Sequence, residues 1–310
     1  MPIKIPDHLP AAKILRDENI FIMDETRATT QRIRPLKILI LNIMPTKIVT
    51  ETQLLRLLSN TPLQMEVDWI HMSSHESKNV PKEHLLAFYK TFDDIKDHKY
   101  DGMIVTGAPV EKLDFEEVDY WDELCQLFEW SKTHVFSSFF ICWGAQAALH
   151  YFYNIKKYLL SNKLTGVYLH HTNEDKMMRK ILRGFDYQFY APHSRYTNVV
   201  REDIVNAKDL DILAESKEAG VYLVASKDGS RFFITGHPEY DPDTLDKEYR
   251  RDIANPDIEE EMPKNYYLND DMNGEIQVKW RSHAYLIFSN WLNYYVYQMT
   301  PYNLEDIKER

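Results

Sequence analysis

From residue 36 onward, short contiguous apolar runs alternate with longer stretches whose apolar residues recur every three or four positions. The run 36–41 (LKILIL) is a β-prone segment of the kind covered on both faces of a sheet. After Met44-Pro45, the positions Ile48, Leu54, Leu55, Leu57 and Leu58 place apolar groups on one side of a helix. The alternation repeats as a strand over 65–72, a helix over 81–89, and a strand over 101–105 ending in Thr106-Gly107-Ala108-Pro109. It continues as a helix over 120–132 and a strand over 135–141 that runs into Cys142. Strand and helix alternating at this spacing predict right-handed βαβ crossovers and a mostly parallel sheet flanked by helices, an α/β fold.

The second half is richer in strands. Segments 212–215, 221–226 and 231–235 read as strands, with Asp228-Gly229 turning between the last two. The stretch 285–297 predicts a strongly aromatic helix packed on the sheet. Residues 1–34 show no clear period and are expected to form an arm packed on the domain. With no repeat, low-complexity tract or Pro/Gly-rich linker, 35–310 is read as a single α/β domain.

Composition narrows the class. The 310 residues are 44% hydrophobic and 27% charged, ordinary for a globular chain able to bury a full core. A formal charge of −11 argues against a nucleic-acid partner or an anionic membrane surface, while leaving room for a local basic pocket. Cys125 and Cys142 are too few for a disulfide framework and lack zinc-finger spacing. No secretory core of about 7–15 apolar residues opens the chain, and no apolar run reaches the ~18 residues of a membrane span. A cytoplasmic protein is therefore expected.

The chemistry concentrates at two strand ends. In Phe139-Phe140-Ile141-Cys142-Trp143-Gly144-Ala145-Gln146, a buried strand stops at a cysteine and a helix begins at once. A side chain on such a turn projects from the carboxyl edge of the sheet, where ligands bind in open α/β folds. The positive end of the helix favours the thiolate. In Phe233-Ile234-Thr235-Gly236-His237-Pro238-Glu239, a second strand ends at a histidine with a carboxylate two residues on. A free thiol is mostly protonated at neutral pH, so a base is needed, and a carboxylate holds that base in the right tautomer. Cys142, His237 and Glu239 are thus the candidate nucleophile, base and orienting acid. Trp143, which opens the helix, and Ala108, in the turn after the neighbouring strand, are the candidate oxyanion donors through their backbone N–H groups.

Other motifs take blander readings. His170-His171 is adjacent rather than spaced by four, and no His-Glu-x-x-His occurs, so no catalytic metal is expected. Cys125 lies in the face of an amphipathic helix and reads as a small buried hydrophobe. The aromatic C-terminal helix is read as core or as a homodimer contact.

The Cys142 and His237 motifs together resemble the class I glutamine amidotransferase superfamily, which uses a Cys-His-Glu triad on a flavodoxin-like sheet. A narrower likeness covers essentially the whole chain: it resembles the homoserine O-acyltransferases of methionine biosynthesis. It is carried by Leu41-Asn42-Ile43-Met44-Pro45, Thr106-Gly107-Ala108-Pro109, Ala191-Pro192-His193-Ser194-Arg195-Tyr196, Thr235-Gly236-His237-Pro238-Glu239-Tyr240-Asp241, Trp280-Arg281-Ser282-His283 and the 290–298 segment. One departure is Phe140, standing where related turns often have glycine. The resemblance implies a Cys142 acyl-thioester formed from an acyl-coenzyme A, with His237 activating the homoserine hydroxyl. It implies substrate contacts from Lys163, Ser194 and Arg251, coenzyme A thioester as co-substrate, and no tightly bound cofactor. At the position of Glu111, succinyl-transferring members tend to have glycine and acetyl-transferring members glutamate. At ~4 Å and an effective dielectric near 20, a carboxylate there repels a succinyl carboxylate by about 4 kcal/mol, roughly a thousandfold. Glu111 therefore points to acetyl-CoA. With the triad alone, succinyl transfer and a glutaminase-type hydrolase stay open.

Overall fold

The computed structural model describes residues 3–5, 22–24, 34–75, 80–173, 179–256, 258 and 260–309. Most of the arm expected over 1–34 lies outside the described residues. From it, β1 (Ile3–Ile5) and β2 (Ile22–Asp24) pair in parallel as a separate two-stranded sheet.

The main sheet has ten strands. In chain order they are β3 (Leu36–Leu41), β4 (Met65–Ile70), β5 (Tyr89–Lys90), β6 (Tyr100–Val105), β7 (Val135–Ile141), β8 (Lys157–Thr172), β9 (Gln188–Val199), β10 (Leu210–Ser216), β11 (Gly220–Ser226) and β12 (Arg231–Ile234). Their spatial order is β5-β4-β3-β6-β7-β12-β11-β10-β8-β9. The six strands from β5 to β12 run parallel, and the remaining pairings are antiparallel. The helices are α1 (Lys47–Leu58), α2 (Lys82–Phe88), α3 (Phe92–Ile95), α4 (Trp121–His134), α5 (Trp143–Tyr153), α6 (Arg201–Asn206), α7 (Thr244–Ile253) and α8 (Arg281–Asn290). Among the described residues, no helix is long and apolar enough to cross a membrane.

The unbroken apolar strands are explained by burial on both faces. Ile38 and Ile40 of β3 join Ile104, Phe139, Leu54 of α1 and Phe288 of α8 in one core layer. Leu39 and Leu41 face the other way, with Val105, Phe140, Leu124 of α4 and Leu149 of α5. The aromatic C-terminal segment packs on the sheet as expected, but α8 passes into π-helical turns over Trp291–Tyr297. Gly102 makes the close approach possible: a Cβ there would meet the Trp291 ring at 2.9 Å. Trp291 Nε1 donates to Ser137 Oγ at 3.0 Å, so the buried indole is satisfied.

The 228–229 turn joins β11 to β12 as read from sequence, with Gly229 at φ 73°. The long β8–β9 hairpin was not foreseen, nor was α7. Strand β8 carries polar residues through Ser161-Asn162-Lys163, where the pairing with β9 shifts register between Leu159 and Leu164. That irregularity removes the two-residue alternation by which a strand is recognised.

Candidate active site

The carboxyl ends of β3, β6, β7 and β12 lie side by side, and the candidate residues follow from them. Cys142 is the N-cap of α5 at φ 51°, ψ −117°, a conformation that an L-residue holds only where its surroundings impose it. Two neighbours do so. The Cys142 N–H donates to Ile234 O at 2.7 Å, continuing the β7–β12 ladder past the last strand residue. On the other side, α5 presses so closely on β6 that a Cβ on Gly144 would meet Thr106 O at 2.5 Å. Phe140 does not disturb this turn, because its ring is buried in the core and stacks on Phe233 at 5.2 Å.

His237 is brought to Cys142 by the end of β12. Its Nδ1 lies 2.7 Å from Glu239 Oε1, with both side chains buried. Its backbone N–H donates to Pro192 O at 2.9 Å, fixing the turn against β9. Burial disfavours a charged imidazole, but the adjacent Cys142 and Glu239 outweigh it and hold His237 well above its ordinary value. The ring also stacks on Tyr240 at 4.1 Å. The structure therefore assembles thiol, imidazole and carboxylate in the expected order.

The loop after β6 is the third side. A Cβ on Gly107 would lie 3.2 Å from Cys142 Cβ and 3.4 Å from His237 Cε1, so this stretch of backbone runs directly over the pair. Ala108 follows in the same loop and is buried. Trp143 is the first residue of α5, and its N–H has no acceptor within its own helix.

Glu111 reaches the site from the same loop. Its Oε1 accepts the Tyr196 N–H of β9 at 2.9 Å. Burial pushes its carboxyl up, against the pull of that hydrogen bond and of His237, Arg195 and Lys163. Ser194 sits two residues earlier on β9, paired with Thr165 of β8. Lys163 is buried and already ion-paired, 2.7 Å from Asp252 Oδ2 and 3.2 Å from Glu260 Oε1. Arg251 is largely exposed and holds the other Asp252 oxygen through Nε at 2.8 Å. Lys163 is thus balanced by carboxylates rather than left open to an anion, while Arg251 faces outward.

Several residues here were missed from sequence. Tyr240 donates its hydroxyl to Glu248 Oε1 at 2.8 Å, and Glu248 Oε2 is buried without a hydrogen-bond partner. Gln146, one turn into α5, exchanges hydrogen bonds with Thr197, accepting from Oγ1 at 2.8 Å and donating to the carbonyl at 3.3 Å. Lys47 opens α1 from its buried side and donates Nζ to Asn42 O. Burial lowers it to about 8, with Glu51 pulling the other way. A signal for Lys47 existed in the sequence, since it shares a helical face with Thr50, Leu54 and Leu57. For Gln146 there was none, because its partner Thr197 lies on the distant strand β9; Glu248 meets Tyr240 from the next helix, α7, which was not foreseen.

Comparison with known proteins agrees with this fold. Solved glutamine amidotransferases share the fold at low identity. The one from Thermotoga maritima matches at TM-score 0.55 and 12% identity over 84% of this chain and 97% of that one. The one from Methylobacillus flagellatus matches at TM-score 0.52 and 10% identity over 84% and 95%. Much closer relatives named homoserine O-acetyltransferase include that of Catenibacterium mitsuokai, 76% identical over 100% of this chain and 99% of its own. That of Petrotoga mobilis is 59% identical over the same shares. The family model described as homoserine O-succinyltransferase matches residues 2–302, and the chain belongs to that family.

Proposed function

We propose that this protein transfers an acetyl group from acetyl-CoA to the hydroxyl of L-homoserine, giving O-acetyl-L-homoserine through an acyl-enzyme on Cys142. The observation that carries the reading is the strained Cys142 N-cap beside the buried His237–Glu239 pair. Full-length relatives named homoserine O-acetyltransferase supply the substrates.

The Cys142 thiolate attacks the thioester carbonyl, and the charge gathers on an oxyanion held by the Trp143 and Ala108 N–H groups. The bond to the coenzyme A sulfur breaks, and the leaving thiolate takes the proton from the His237 imidazolium. Homoserine then enters. His237 accepts its hydroxyl proton as the oxygen attacks the Cys142 thioester, and Cys142 leaves again as thiolate. Glu239 steadies the imidazolium in both halves. For the amino acid, the outward guanidinium of Arg251 suits the α-carboxylate; Lys163 steadies it through the shared Asp252 carboxylate, and Ser194 offers a hydroxyl. The unpaired Glu248 oxygen suits the α-ammonium.

The family description favours a second donor, succinyl-CoA. Glu111 argues against it, because its carboxylate belongs to the same loop as Ala108 and would meet the succinyl carboxylate. The deciding experiment is mass spectrometry of the Cys142 peptide after mixing with acetyl-CoA. An acetyl adduct that homoserine discharges is expected. No adduct, or full transfer by Cys142→Ala, sinks the acyl-enzyme. Rapid coenzyme A release with succinyl-CoA alone sinks the acetyl reading, and ammonia from glutamine would select a glutaminase.

A further inference from the structure

Three residues beyond Pro192, strand β9 carries Arg195, whose side chain is fully buried. Its Nη1 donates to Thr197 O at 2.9 Å and its Nη2 to Ala219 O at 2.6 Å, while Nε has no acceptor. Among the described residues, no carboxylate lies within ion-pair distance of this guanidinium. Burying a cation this way is costly, and a carboxylate partner is the usual remedy. A backbone tether differs from an ion pair in one respect: carbonyl dipoles hold the guanidinium in place without neutralising it, so its field acts on whatever anion is nearby.

The geometry indicates which anion that is. The Thr197 carbonyl that holds Arg195 also accepts from Gln146 Nε2, and the Gln146 N–H donates to Cys142 O at 3.1 Å. The guanidinium is thereby anchored to the first turn of the helix that Cys142 caps. The acidic groups whose charge bears on this guanidinium are Cys142, foremost, and Glu111. On the other side lie His170 and His193, ring nitrogens 3.0 Å apart, both pushed down by burial and further by Arg195. The groups facing Cys142 itself are His237, Arg195 and Tyr240.

We propose that Arg195 is a positioning residue for the nucleophile: its carbonyl-tethered guanidinium supplies a second fixed positive charge, beside His237, at the turn that carries Cys142. This rests on the reading of Cys142 as nucleophile. It also gives His237 a freer role. When His237 passes its proton to the leaving sulfur and later takes one from homoserine, the charge on which the returning thiolate depends stays in place.

The test is the pH dependence of iodoacetamide alkylation, resolved by peptide so that Cys125 is an internal control. Cys125 is only partly buried, and its thiol is pushed up to about 11 by burial and nearby carboxylates. Arg195→Met removes the charge, Arg195→Gln keeps a neutral donor for the carbonyls, and Arg195→Lys keeps a charge. At pH 6 we expect Cys142 alkylation to slow about tenfold in the Met and Gln variants and to stay within about threefold in the Lys variant. Cys125 should not change. If Arg195→Met does not fold by circular dichroism, the Gln–Lys contrast decides. Neutral and charged variants with the same alkylation profile as the native protein would overturn the proposal, leaving Arg195 a packing residue. Equal slowing in all of them would overturn it too. If native Cys142 reacts no faster than Cys125 at pH 6, the nucleophile reading itself falls.

Discussion

Glu111 Oε1 accepts the backbone N–H of Tyr196 at 2.9 Å, fastening the loop after β6 to strand β9. That single bond fixes the carboxylate in the loop that also carries Ala108. Replacing Glu111 with Gly should raise kcat/KM for succinyl-CoA relative to acetyl-CoA by about 10²–10³. Parallel measurement of coenzyme A release with each donor checks it, and an unchanged ratio removes the electrostatic account. Because burial raises the Glu111 carboxyl, its neutral fraction grows on acidification. The native succinyl-to-acetyl ratio should therefore rise as pH falls from 8 to 5.5, and Glu111→Gln should flatten that slope.

Glu239→Gln keeps the shape beside His237 but removes the charge that supports its imidazolium. We expect kcat to fall on the order of 10²–10⁴. His237 is held above its ordinary value by Cys142 and Glu239, so the imidazolium persists toward higher pH in the native protein. Losing Glu239 lowers it, and the alkaline limb of the kcat/KM profile should move to lower pH. A profile that keeps its alkaline limb would mean that Glu239 does not act through His237.

Lys47 gives a stability prediction. Burial brings it to about 8 from the ordinary 10.5, so the folded protein loses that proton before the unfolded chain does. Between those values the unfolded state binds more protons, and stability rises with pH. The burden below pH 8 is about 3 kcal/mol. Urea unfolding at pH 7.5 and pH 10 should therefore show the native protein gaining about 2 kcal/mol relative to Lys47→Met. Parallel curves for the two proteins would contradict it.

Gly107→Ala tests how tightly the loop covers the site. A methyl there meets Cys142 Cβ at 3.2 Å and His237 Cε1 at 3.4 Å, so the pair must yield by a few tenths of an ångström. We expect kcat/KM to drop about 10–100-fold with little change in the urea midpoint. A variant that is destabilised but otherwise as active would place the strain elsewhere.

The parallel half of the sheet was legible because its strands are contiguous apolar runs ending in motifs at fixed places. The 135–141 strand leading into Cys142 and the 231–235 segment leading toward His237 are local signals, and β7 and β12 lie next to each other as that reading required. The β8–β9 hairpin was not legible, because the register shift near Lys163 breaks its alternation. Lys163 was singled out through the family resemblance, and its pairing with Asp252 and Glu260 joins residues about ninety positions apart, which no local pattern encodes.

The sequence by itself determined the candidate chemistry: a cysteine at a strand-to-helix turn, a histidine with a carboxylate two residues on, and a glutamate in the loop after the neighbouring strand. These are local features, written in adjacent residues and in strand periodicity. Only the tertiary structure decided what charge surrounds them. Strand β9 lies at the far edge of the sheet order, yet its Pro192 carbonyl holds the His237 turn, its Tyr196 amide holds Glu111, and its Thr197, which also holds Arg195, binds Gln146 of the helix that Cys142 caps. The field at a buried site depends on distances between groups remote in sequence and on how far water is excluded, and both are fixed only when the chain has folded.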